Sequence, residues 1–250
     1  MFVKNKENWL IEKEIERKTM EEQLCIACQD GDVDGVKRLL LVPNINLNNE
    51  DETRWTRTPF FLACQNGHLE IVKLLNDERV DVNKTNEYDA TPFLIACLLG
   101  HFEIVKLLLS DKRIDINKAD NDGVIPFSHT CYFGYIEIVK LLLNDNRVDI
   151  NKVDKYGATP FSKACHFGYI EIVEYILASG RDVNVYIDYN GKMMIDQARN
   201  GKEIIKLLKD FNINPIETRT KLRLKLGFSG KLIYFTNNNS KENNNNKKNS

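Results

Sequence analysis

The sequence predicts an all-α solenoid, a stack of short helix–turn–helix units linked by β-hairpin fingers. Three observations carry this. One phrase recurs: TPFFLACQNGHLEIVKLL, TPFLIACLLGHFEIVKLLL, IPFSHTCYFGYIEIVKLLL and TPFSKACHFGYIEIVEYIL. Its rigid residues keep register, with Pro59, Pro92, Pro126 and Pro160 spaced 33, 34 and 34 apart and Gly67, Gly100, Gly134 and Gly168 repeating those intervals. Each phrase then closes on a polar end, where Asn83, Asn117, Asn151 and Asn184 sit in VDVN, IDIN, VDIN and RDVN. A fixed period of this length marks supersecondary units that bury their apolar faces only by stacking.

The elements follow in chain order. Residues 1–18 hold Trp9, Ile11 and Ile15 among charges and predict a short amphipathic helix, a lid over the first unit. TMEE (19–22) reads as a capping box that opens a new helix. The repeat domain spans 19–214. Its first unit, LCIACQDGDVDGVKRLLL (24–41), matches through Cys28 and Gly31. Its sixth, GKMMIDQARNGKEIIKLL (191–208), matches through Gly191 and Gly201 but lacks the Thr-Pro. Atypical end units are expected, since each has one face without a neighbour.

Within a unit, the threonine hydroxyl caps the first helix and proline fits its first position. The central glycine supplies the left-handed residue that ends this helix. LEIVKLL places Leu69, Val72 and Leu75 on one apolar side and sets Glu70 beside Lys73. Leu107 and Leu141, in the sister second helices, are expected in the core. Ile125 replaces the capping threonine in the fourth unit, and the third and fourth units carry one extra residue before DIN.

Beyond the repeats, NPIE (214–217) starts a helix and Gly227 stops it. Residues 215–235 are expected to form a basic capping helix, with Leu222 and Leu226 covering the last unit. The alternation K-L-R-L-K-L also allows a strand paired with KLIYF. The helix is preferred because both boundary signals are present. TNNNSKENNNNKKNS (236–250) has too little apolar content for a core and predicts a disordered tail.

Charge is uneven. From Ile216 onward eight Lys/Arg face two Asp/Glu, a net +6 that leaves −7 on the remainder of a chain totalling −1. The longest apolar run, PFLIACLLG, is far short of the ~20 residues that cross a bilayer. The N-terminus has no apolar signal region. Both point to a reducing compartment, the cytoplasm or alternatively the nucleus.

Cys28, Cys64, Cys97, Cys131 and Cys165 share one repeat position, at intervals of 36, 33, 34 and 34. Packed neighbouring helices lie ~8–10 Å apart, too far for a disulfide and too linear for a metal cage. The column is expected to be buried and reduced. Cys25 and Cys28 form a lone C-x-x-C, weak grounds for zinc. His129 takes the position of Leu62, Ile95 and Lys163, nearer the core, whereas His166 takes that of Gln65, Leu98 and Tyr132, toward an exposed face. His68 and His101 follow the turn glycines, and Tyr135 and Tyr169 replace them in the next units. No nucleotide-binding, zinc-protease or nucleophile-elbow motif is present, so no catalytic residue, cofactor or metal is expected.

The Thr-Pro opening, central glycine, leucine-rich second helix and closing Asp-Val-Asn together resemble the ankyrin repeat from about residue 20 to 214. The family usually has histidine after TPF, where this chain has Phe61, Leu94, Ser128 and Ser162. The resemblance implies a non-catalytic protein-interaction module: a scaffold, adaptor or stoichiometric inhibitor. It implies a partner protein held on the concave face of fingers and first helices, with no small-molecule substrate. By position the finger residues are Trp55, Tyr88, Asp122, Tyr156 and Tyr189. The first-helix residues are Leu98, Leu99, Tyr132, Phe133, His166 and Phe167. The chain is expected to be a monomer. The alternative is an electrostatic adaptor that uses the basic segment 216–250 to touch membrane or nucleic acid. Asn83, Asn117 and Asn151, each with a leucine eight residues earlier, also resemble the pattern of ankyrin proteins hydroxylated on asparagine. A structural asparagine is the simpler reading.

Overall fold

The Thr-Pro openings cap their helices through the expected oxygen. Thr58, Thr91 and Thr159 Oγ1 accept the backbone N–H three residues on, at 3.2, 3.1 and 3.0 Å. The computed structural model describes residues 6–51, 55–185 and 202–228, and among them there are twelve helices and no β-strand. The inner layer is α1 (Lys6–Asp30), α3 (Pro59–Gln65), α5 (Pro92–Leu98), α7 (Pro126–Phe133) and α9 (Pro160–Phe167). The outer layer is α2 (Val33–Leu40), α4 (Leu69–Leu75), α6 (Phe102–Leu109), α8 (Ile136–Leu143), α10 (Ile170–Ala178) and α11 (Lys202–Ile213). Each inner helix packs on the next inner helix, and each outer on the next outer. Helix α12 (Pro215–Lys225) lies against α10 and α11.

The core is a set of parallel columns. Phe60, Phe93, Phe127 and Phe161, each directly after the proline, are fully buried. The cysteine column runs beside them. From the outer layer, Val72, Val105, Val139 and Val173 are sealed from water. The outer-layer leucines in the core are Leu75, Leu108 and Leu142, not Leu107 and Leu141, which are half-buried at the edge. In IVKLLL the stripe that includes Ile104 and Val105 reaches Leu108 one turn on.

Two further expectations are corrected. TMEE does not open a helix: α1 runs unbroken through it, and Thr19 Oγ1 donates to Ile15 O at 2.9 Å. The same Ser/Thr-x-x-Glu pattern is compatible with a helix interior when the hydroxyl turns back to the carbonyl four residues earlier. The break expected at residue 18 is therefore absent. Among the described residues the hairpin fingers, in turn, are closed as tight turns without strands. Asn86, Asp120 and Asp154 Oδ1 each accept two backbone N–H groups of their own finger, closing it at 2.9–3.0 Å. Asp89 takes the left-handed position (φ 61°) that Gly123 and Gly157 fill in the next fingers. One backbone bond ties each finger to its neighbour: Asn121 N to Tyr88 O and Lys155 N to Asp122 O, both 2.9 Å.

At the opposite edge a polar ladder joins the units. Asn48, Asn83, Asn117 and Asn151 Oδ1 accept the N–H of Asp81, Asp115, Asp149 and Asn184 at 2.7–3.2 Å. Their Nδ2 groups donate to the carbonyls of Arg79, Arg113, Arg147 and Asp182 at 2.7–2.9 Å. Guanidinium groups reach the other way. Arg113 donates to Asp77 O (2.9 Å) and Arg147 to Leu109 O (2.8 Å), and Arg181 donates to the carbonyls of Asp145 and Val148. Asn83, Asn117 and Asn151 thus have their amides engaged by the backbone of the following unit, a structural role.

At the C-terminus Asn214 Oδ1 accepts from Glu217 N at 3.2 Å, Pro215 takes the first position of α12, and Gly227 is left-handed (φ 69°). Leu222 is buried and Leu226 packs against the core cluster. The first half of the sixth unit, with Gly191 and Gly201, lies outside the described residues, as do Tyr189, KLIYF and the Asn-rich tail.

Candidate functional site

The turn glycines begin the site, because they decide how closely units approach. Gly134 is left-handed (φ 79°), and a Cβ there would sit 2.7 Å from the ring of Tyr169. Gly100 seats Tyr135 in the same way. Earlier in the stack the seated ring is a histidine: His68 Nε2 lies 3.0 Å from Gln29 O and His101 Nε2 2.9 Å from Gln65 O. In the later units the seated tyrosines stack instead, Tyr135 on Phe133 (5.9 Å between centroids) and Tyr169 on Phe167 (6.4 Å).

Those stacks build an aromatic shelf at the C-terminal ends of α7 and α9. Tyr132 meets Phe133 at 4.8 Å and Phe167 at 4.5 Å, both edge-on, and His166 meets Phe167 at 4.9 Å. The edge-to-face geometry sets positive ring edges against negative faces. Yet the rings remain open to water: Tyr132 is 40% exposed, Phe133 43% and Phe167 37%. Leu99 continues the shelf position in the preceding unit and is similarly exposed, while Leu98 is half-buried. Tyr135 and Tyr169, which the sequence reading took for turn residues alone, are the supports of this shelf. The signal that could have found them is the pairing of Phe-Gly-Tyr in two consecutive units.

The finger tips form a second group. Tyr88 is half exposed and lies 5.5 Å from Trp55 on the neighbouring finger; Tyr156 projects further, at 67% exposure. Asp122 is exposed, 4.0 Å from Lys155. The described site residues thus fall into two strips, one along the finger tips and one along the inner-helix ends, with Tyr189 outside the described residues.

The two histidines differ in their partners. His129 is mostly buried, and its Nε2 lies 3.0 Å from Asp120 Oδ2, tying α7 to its own finger. Lys163 holds Asp154 at 2.8 Å in the next unit. Where the helix position is the apolar Ile95, the finger carries neutral Asn86. The finger carboxylate thus accompanies a helix side chain that donates or bonds to it, His129 or Lys163. Burial pushes the Asp120 carboxyl up, but hydrogen bonds from His129, Val124 and Asp122 outweigh it and hold the group below its ordinary value. His166 is half-buried, and its Nδ1 is enclosed without a hydrogen-bond partner.

All six cysteines are free and buried. Burial raises every thiol, Cys25 and Cys165 to about 12, so none is an activated nucleophile. Among the described residues no group of three His, Cys, Asp or Glu side chains is placed to hold a metal ion. Nor is any helix among them long and apolar enough to cross a membrane.

Three cations of the basic C-terminal helix reach the fifth unit, while Lys221 stays exposed beside Glu217. Arg219 Nε donates to Leu177 O (3.0 Å), Arg223 to Ala178 O (2.9 Å), and Lys225 Nζ reaches both oxygens of Glu174 at 2.5 and 2.8 Å. Its outward face carries Ile216 and Leu224.

This architecture of paired helices, capped by Thr-Pro and closed by an asparagine ladder, defines a class of stacked-repeat protein. A family model of ankyrin repeats in three copies matches residues 24–120 and again 112–187, and the chain belongs to the ankyrin-repeat family. It is similar to an ankyrin repeat-containing protein of Saccharomyces cerevisiae, with 43% identity over 54 residues, 22% of this chain. The match covers 10% of the yeast protein's length. Ankyrin repeats in general mediate protein–protein interaction and are typically non-catalytic.

Proposed function

We propose that this chain is a non-catalytic interaction module that holds a partner protein along the concave face, with the aromatic shelf of Tyr132, Phe133 and Phe167 as its centre. The observation that carries the reading is that shelf: a contiguous set of large rings, partly open to water, at positions the repeat does not require to be apolar. Contiguous exposed apolar surface in a soluble fold marks contact sites, and aromatic residues supply most interface anchors. Tyr88 and Tyr156 on the fingers frame it. The paired inner-helix positions of the second to fifth units hold Gln65, Asn66, Leu98, Leu99, Tyr132, Phe133, His166 and Phe167, and the first unit adds Gln29 and Asp30.

The electrostatic-adaptor alternative draws less support, because Arg219, Arg223 and Lys225 are engaged within the chain. The test is affinity capture with the full chain, followed by binding of the captured protein to variants. Tyr132→Ala, Tyr88→Ala and Tyr156→Ala should each weaken capture by ~2 kcal/mol or more if they are anchors. Wild-type binding by all three, with loss in the convex-side variants Lys106→Glu and Lys140→Glu, would place the partner on the outer helices and refute the concave reading.

A further inference from the structure

The outer helices share a column of charged residues. Lys37, Lys73, Lys106 and Lys140 each follow an acidic residue by three positions, and the fifth unit reverses the sign with Glu174. In the first, second and fourth units the lysine meets that acid, at 3.8 Å from Asp34, 2.7 Å from Glu70 and 2.8 Å from Glu137. Glu174 differs in setting as well as in sign. It is 8% exposed, because α12 lies over it. Lys225 lies against its carboxylate, while Arg219 and Arg223 bond the carbonyls of Leu177 and Ala178. Those carbonyls belong to the last turn of α10, where intrahelical partners run out and the helix dipole is negative. One anionic side chain and one helix end therefore receive three cations from one helix.

The apolar hold on α12 is small by comparison. Only Thr218 and Leu222 of the helix are buried, Leu226 and Phe228 just beyond it pack against the core, Arg219 lies over the Phe211 ring of α11 at 5.5 Å, and Ile216 and Leu224 face water. Elements with few buried apolar contacts open first in a native protein. We propose that α12 is an electrostatic strap, held on the fifth unit by Glu174 and the carbonyl end of α10, and that it detaches while the preceding units stay folded. Detachment turns Arg219 and Arg223 outward and frees Lys225, already largely exposed, from Glu174. Anything acidic that binds the C-terminal segment thus competes with Glu174 for the same cations.

The experiment is hydrogen–deuterium exchange of the full chain, read by mass spectrometry. Glu174→Lys restores the residue of the other units and sets it against Lys225. Peptides within 215–226 should then exchange about tenfold faster or more, while peptides of α3 to α7 keep wild-type rates. Combining Glu174→Lys with Lys225→Glu should return most of the protection. Raising NaCl from roughly 0.05 to 1 M should speed exchange in 215–226 of the wild type and not in α3 to α7. Three results overturn the strap: unchanged exchange of 215–226 in Glu174→Lys, no recovery in the charge-swapped double variant, or opening of 215–226 together with α3 to α7. Global unfolding of Glu174→Lys is an instance of the third.

Discussion

Replacing Ile125 by threonine sets two effects against each other at one atom. The three sister positions have a threonine whose oxygen accepts a helix N–H. At Ile125 that bond is missing, and Ser128 N bonds to Ile125 O at 3.0 Å instead. A restored cap is worth about 1 kcal/mol. Against this, Ile125 is 1% exposed and part of the core. Threonine has two fewer apolar carbons, each worth about 0.8 kcal/mol when buried, and the site that loses them collapses only in part, which adds a cavity term. The carbon loss of about 1.6 kcal/mol exceeds the cap, so Ile125→Thr should destabilise the chain by about 1 kcal/mol. With a urea dependence of ~1–3 kcal/mol/M, the midpoint falls by about 0.3–1 M. Ile125→Val is the control, since valine matches threonine in shape and offers no oxygen. Urea unfolding followed by far-ultraviolet circular dichroism reads all three proteins. A midpoint for Ile125→Thr above wild type would refute the reasoning, because it would mean that the cap outweighs two buried carbons.

Other outcomes follow from the same geometry. Leu142→Ala should cost ~2–5 kcal/mol, and Leu141→Ala clearly less, since only the first is sealed in the core; equal losses in denaturant midpoint would contradict this. Asn117→Ala removes two bonds to the next unit, each worth ~0.5–1.5 kcal/mol, so ~1–3 kcal/mol should be lost in the same assay. Arg113 and Arg147 hold the carboxyls of Asp111 and Asp145 below the usual value through hydrogen bonds, against an opposing push from burial. Each pair contributes stability above about pH 4 and loses it as the pH falls through the lowered folded-state value. Asp145→Asn should therefore be less stable than wild type at about pH 7 and converge on it at about pH 2. A thiol reagent should modify native protein slowly and urea-unfolded protein at all six cysteines; rapid reaction of the native form would show an open cysteine column.

The repeat register, the Thr-Pro caps and the left-handed glycines were legible because each is a local rule repeated in sequence. The start of α1 was not, since Thr-x-x-Glu reads alike at a helix start and within a helix. Leu107 and Leu108 could not be separated either: three consecutive leucines satisfy the apolar pattern in more than one phase, and only packing selects one. The shelf was half legible. Tyr132, Phe133 and Phe167 were assigned by position, but their support by Tyr135 and Tyr169 depends on how closely neighbouring turns approach. The Asp120–His129 tie crosses from finger to helix, and no period encodes it. Helix α12 had clear ends. Leu222 and Leu226 were read as its packing side and are so placed, but that the arginines would lie on the same side was not legible.

The asparagine ladder has a consequence for how such a chain can change length. Asn117 and Asn151 perform the same task one unit apart, each offering an amide to the backbone that follows. A copy of residues 118–151 inserted after Asn151 would meet a familiar amide at its front and present one at its back. Gene duplication at this seam adds a whole turn of the stack without a new junction to invent, and excision at the same seam removes one. The recognition surface can then grow or shrink in steps of one finger and one inner helix. The asparagine acts as a standard coupling between interchangeable parts.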